Sequence, residues 1–288
     1  MRLILIILVF FSIACNAANT QVIKVFNKVK NGDTSEVSEL IKLDGDIVPD
    51  VAVYLQEDSE DVRREAVSLL GVLGGEQACT AILTTLTDSS ADIRQRSARI
   101  LYRCDHTVLM KNDATSMQLG KSIKMGNTAA AAMLLLANFP DAESKAILVD
   151  MTKKDQKVKL LDWMPPVSSS LVASVSLTRM KSEVGKKYLI DSINSGSIND
   201  LLFILNIMPD IDDMDVLQFL TKLLSDKREI SQGIPSGATP KRRLCDLAVN
   251  AFAKKLNLDY GFKLSQEKRY TAAELSEATE MVNRHFHL

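Results

Sequence analysis

The chain has 288 residues, 46% of them hydrophobic and 25% charged, with only 12 glycines and 7 prolines, a composition that favours long helices over turn-rich sheet. Lysine plus arginine total 35 against 36 aspartates and glutamates. No overall field then draws the protein toward nucleic acid or an anionic bilayer, and a nucleic-acid partner is not expected.

At the N-terminus, Arg2 precedes the apolar run 3–13 and the small residues Ser12, Ala14, Cys15, Ala17 and Ala18, the layout of an export signal over residues 1–18. At roughly 11 residues the run is too short for a membrane-spanning helix, which needs about 20. Residues 12–15, SIAC, resemble the lipobox of bacterial lipoproteins. That resemblance implies diacylation of Cys15 and an anchored protein facing the periplasm or cell surface. Ordinary cleavage after Ala17 instead gives a soluble periplasmic or secreted protein.

Between Thr20 and Leu43 two short helices are expected to form an N-terminal cap. Beyond them a pattern recurs at an offset of 31 residues. Leu55 falls on Leu86, Asp61 on Asp92, Val62 on Ile93, Arg63 on Arg94, Ala66 on Ser97, Leu69 on Ile100, Leu70 on Leu101 and Leu73 on Cys104; upstream, Val48 meets Cys79, Val51 meets Ile82 and Ala52 meets Leu83. Each unit carries apolar residues at three- and four-residue steps on two helices separated by a polar turn. One such hairpin cannot cover its own apolar stripe, so the spacing predicts stacked neighbours. Asp61 is expected just ahead of the second helix, accepting from its free N–H groups.

The stretch LQEDSEDVRREAVSLLGVLGG, residues 55–75, resembles a HEAT repeat, and the 31-residue spacing is similar to the short HEAT-like repeats of the phycobilisome-lyase type. The resemblance implies an all-α fold: an α-solenoid of antiparallel helix pairs, a HEAT/armadillo-like superhelix whose inner face binds another macromolecule. It also implies that Asp61, Arg63, Asp92 and Arg94 tie adjacent units together as scaffold. The repeats are clearest over 44–105, within one solenoid domain expected over 19–288 with five or six helix pairs. Residues 127–151 and 183–210 keep a helix-turn-helix pattern without the Val-Arg signature. Residues 240–258 return to it, with Leu244, Ala248 and Phe252 in the apolar places and Cys245 in place of the arginine. Thr271 and Glu274 have capping-box spacing, so a last helix is expected from Ala272 toward Phe286.

Cys79 and Cys104 fall at the same end of one antiparallel hairpin. They read either as small core residues or, in an oxidising compartment, as a disulfide. The acidic cluster 209–215 precedes an amphipathic segment and reads as helix capping rather than a calcium loop. His106, His285 and His287 have no metal-ligand spacing, and no catalytic or phosphate-loop motif is present, so no catalytic residue, metal or cofactor is expected. The connection 227–243 is long for a helix pair and ends in Lys241, Arg242 and Arg243 at a helix start, where three cations need an opposing acid or a partner. These three are the candidate partner-binding residues.

The function expected from these features is an exported, non-enzymatic scaffold or adaptor that binds a protein in the bacterial cell envelope and is anchored through an N-terminal lipid. The alternatives are a HEAT-like lyase or other ligand-handling enzyme, and an immunity protein against an envelope-acting toxin.

Overall fold

A computed structural model describes residues 19–126, 129–161, 164–230 and 241–288. The expected lipidation at Cys15, the export segment and residues 231–240 of the long connection lie outside them. The described chain is mostly helical. It divides into two compact units with the boundary between Phe139 and Pro140. No helix among the described residues is long and apolar enough to cross a membrane.

The first unit opens with α1 (19–30) and a 3-10 segment, Val37–Ile47. Then come α2 (Val48–Ala52), extended as 3-10 turns to Gln56, α3 (Glu60–Leu73), α4 (Gly75–Leu83), likewise extended to Thr87, and α5 (Ala91–Leu101). A short α6 (His106–Met110) leads to α7 (Thr115–Lys124) and α8 (Ala130–Leu136). The 31-residue periodicity is a periodicity of burial. Val62 and Ile93, Ala66 and Ser97, Leu70 and Leu101, and Val51 and Ile82 are all fully buried. Ser97, standing where the preceding unit has alanine, satisfies its hydroxyl on Ile93 O at 2.8 Å and Thr85 Oγ1 at 2.7 Å. A buried polar group without such partners would carry its full desolvation cost.

Equivalent helices lie side by side in two rows. In one, α2 packs on α4, and the 3-10 extension of α4 packs on α7; in the other, α3 packs on α5 and α5 on α8. The helix α1 joins the first row through Asn19 to Asp50 (2.6 Å), Phe26 stacked on Tyr54 (centroids 4.0 Å apart) and Lys30 to Glu57 (2.9 Å). The second row accepts the 3-10 segment 37–47 against α3. Gly74 (φ +67°) and Gly75 (φ +78°) reverse the chain between α3 and α4 through a backbone region that side chains rarely tolerate. All seven residues of α8 are buried, as expected of a helix that is apolar on every face.

The second unit contains α9 (Ala142–Met151), a two-stranded antiparallel ladder of β1 (Lys157–Val158) and β2 (Val167–Ser168), α10 (Ser169–Arg179), α11 (Glu183–Ser195), α12 (Ile198–Ile207), α13 (Met214–Leu220), α14 (Leu244–Leu256) and α15 (Ala272–Phe286). The ladder, in the connection between α9 and α10, is a departure from the purely helical expectation. Here α10 packs between α9 and α11, and Gly185 permits the close crossing: a Cβ there would stand 2.3 Å from Leu177 Cβ. Pairing then repeats, with α11 against α13 and α12 against α14. Leu244, Cys245, Ala248 and Phe252 are fully buried. The last helix packs on α14 and the 3-10 turn Thr221–Ser225, and Thr271 with Glu274 forms its capping box.

Candidate functional site

Arginines at equivalent places reach from each unit of the first half into the next turn. Arg63 donates through Nη1 to Glu57 O and Asp58 O at 2.8 and 2.9 Å; Arg94 does the same to Asp88 O and Ser89 O at 2.8 and 2.9 Å. Forward, Arg63 meets the Asp88 carboxylate through Nε (2.8 Å) and Nη2 (3.0 Å), whereas Arg94 donates to Gly126 O at 3.1 Å. That forward reach lengthens from 25 to 32 residues because α6 is inserted. The tie expected of Arg63 and Arg94 is therefore present, but the acid that completes it at Arg63 is Asp88. Asp61 instead sits inside the first turn of α3, whose N-cap is Ser59, and bonds Arg64 at 2.7 Å. Arg64 also reaches Glu60 at 3.3 Å and Asp92 of the next unit at 3.1 Å. Glu57 occupies the place of Asp88 one unit earlier and receives Lys30, so the same turn takes a cation from the preceding unit twice. An acid recurs at 57 and 88 in the sequence, but so does one at 61 and 92, and recurrence alone does not select between them.

These ties hold α3 and α5 with one common face to solvent. Arg64, Ser68 and Val72 follow one another at four-residue steps along α3, and Gln95 and, just past α5, Arg103 stand at the places of Arg64 and Val72 one unit later. Arg96 donates to Ser68 Oγ at 3.2 Å, Val72 is 61% exposed and Arg103 is exposed. The face carries three arginines around an apolar point.

The candidate basic residues are not alike. Arg243 turns inward, its guanidinium on the fully buried Asp246 at 2.8 and 3.1 Å and on Tyr270 O at 2.7 Å. Asp246 also accepts from the backbone N–H groups of Arg243 (2.8 Å) and Tyr270 (3.0 Å). Asp246 is the opposing acid for one of the three cations at the start of α14, Arg243. Arg242 bonds Gln266 O, and Lys241 is exposed. The arms of the connection are zipped by Ile230 N–H to Arg242 O (2.8 Å) and Leu244 N–H to Arg228 O (3.1 Å).

Cys79 and Cys104 are joined as a disulfide, with Cα atoms 6.3 Å apart. The bond lines an open cleft with Leu70, Ile100, Arg103 and Val108. Cys245 is a free thiol that burial pushes above its usual pKa. In the acidic cluster, Asp213 caps α13 on Val216 N–H (3.0 Å), Asp212 holds Lys255 (2.6 Å) and Asp215 holds Lys186. His106 packs locally, its Nε2 3.1 Å from Tyr102 O. Among the described residues no group of three His, Cys, Asp or Glu side chains is placed to hold a metal ion.

Comparison with protein-family models and with curated proteins gives no match for this chain.

Proposed function

We propose that the paired helices are HEAT-like repeats of an α-solenoid, and that the protein is an exported, lipid-anchored scaffold which binds a protein partner in the bacterial cell envelope without catalysing a reaction. The observation that carries this reading is the shared face of α3 and α5, held in register by Arg63 and Asp88 and offering Arg64, Ser68, Val72, Arg96 and Arg103 to solvent. A rigid row of equivalent helices presents such a face at low ordering cost, because the scaffold and not the partner fixes its geometry. Lys241 is a second surface for the same kind of partner. The lipid anchor rests on the SIAC segment alone.

The test compares purified wild type with the Val72→Glu, Arg103→Glu double variant in capture from envelope extracts, followed by direct titration with the purified captured protein. A partner held by wild type and lost by the variant supports the reading; equal titration curves overturn it. Intact-mass analysis of the mature N-terminus tests the anchor, and an unacylated chain beginning at Ala18 overturns it.

A further inference from the structure

The Cys79–Cys104 bond fastens α4 to the corner between α5 and α6, where the spacing of the units is broken. With five residues, α6 is shorter than a helix that holds by itself in water, and Leu109 is its buried residue. Beyond the disulfide it rests on α4 and is held by Thr115 Oγ1 to Leu109 O at 2.9 Å and by His106, which meets Tyr102 O at 3.1 Å and Asn138 Nδ2 at 3.5 Å, contacts that are few and mostly at its ends. The flanks are held independently, α5 by Arg94 on Gly126 O and α7 by its packing on α8. The two cysteines differ in exposure. Cys79 is 6% exposed on α4, whereas Cys104 is half-buried, and both line the open cleft.

We propose that this disulfide is a thiol-operated clasp on α6, entered through Cys104. An external dithiol, as its thiolate, attacks Cys104 Sγ; a mixed disulfide forms there, the bond to Cys79 breaks, and Cys79 leaves as a thiolate that takes up a proton. The second thiol of the reagent then displaces Cys104, so the dithiol is oxidised by two electrons and both protein cysteines end as thiols. Release detaches α6 from α4 and opens the cleft along Leu70, Ile100 and Val108, while the arginine ties keep the remaining helices paired. The clasp does not depend on the partner-binding reading.

The experiment is hydrogen exchange on the full chain, oxidised and after dithiothreitol, with thiol labelling mapped by mass spectrometry. The expected result is loss of protection confined to residues 102–113. Unchanged protection there, or loss spread through α2 to α5, overturns the proposal. In parallel, Cys79→Ser and Cys104→Ser variants are exposed to oxidised glutathione: the adduct forms faster on Cys104 than on Cys79 if entry is through Cys104, and equal or reversed rates overturn that assignment.

Discussion

Arg63 closes on Asp88 through two parallel hydrogen bonds, at 2.8 and 3.0 Å, with 12% and 7% of the two side chains left exposed. The pair joins the start of α3 to the turn ahead of α5, and the guanidinium also satisfies two carbonyls of its own turn. Removing the cation alone strands a buried carboxylate. Arg63→Ala is therefore expected to lower stability by about 3 kcal/mol, read by urea denaturation. Arg64→Ala, whose side chain is 31% exposed on the same helix, should cost less than about 1 kcal/mol.

The same pair sets an acid limit. Burial pushes the Asp88 carboxyl up, but hydrogen bonds from Arg63 and Ser90 N–H and the nearby Arg63 charge outweigh it and hold the carboxyl below its usual range. A depressed folded pKa means that the stabilisation is present above the unfolded value of about 3.9 and is lost as pH falls through the lower folded value. Unfolding free energy measured from pH 6 downward should drop through that window. The Asp88→Asn variant should show a shallower fall, and a slope equal to wild type would remove Asp88 from the account.

Two glycines mark close helix crossings of different hardness. A Cβ at Gly185 would meet Leu177 Cβ at 2.3 Å and Thr178 N at 2.8 Å, atoms that cannot swing aside. At Gly71 the nearest atoms it would meet belong to the Ile100 side chain, Cδ1 at 2.6 Å. Gly185→Ala is expected to cost roughly 1 to 3 kcal/mol by overpacking, and Gly71→Ala less, because Ile100 can change rotamer. Thermal denaturation of the two variants checks the order.

Leu70 is fully buried on α3, while Val72, two residues on, is 61% exposed. Leu70→Ala should lose about 2 to 5 kcal/mol through transfer and cavity terms, and Val72→Ala should stay within about 0.5 kcal/mol. Equal effects would mean that the buried face of α3 is misassigned.

Within the basic triplet only Lys241 is suited to a test of binding. Replacing Arg243 by Gln leaves Asp246 fully buried without its cation, an expected loss of about 3 to 5 kcal/mol, whereas Lys241→Glu should leave the melting temperature unchanged. A reversal of all three charges would confuse unfolding with lost binding. Partner titration with Lys241→Glu alone separates them.

The paired helices around 44–105 were legible in the sequence because burial follows the helical period, so that Val62, Ala66 and Leu70 mark the same face as Ile93, Ser97 and Leu101. The capping box at Thr271 and Glu274 was legible for a similar reason, since both partners lie within one turn. Local spacing is all that either feature needs. Tertiary structure alone decided that Arg63 chooses Asp88 over Asp61, that α6 breaks the spacing, that Cys79 meets Cys104, and that Arg243 turns inward to Asp246 while Lys241 stays in water. Most of those contacts join residues far apart along the chain; even Arg243 and Asp246, three positions apart, owe their burial to Tyr270 and the elements packed around them. Which polar group a cation finds depends on what neighbouring helices bring to it once water has been excluded, and no periodicity within a single helix carries that information.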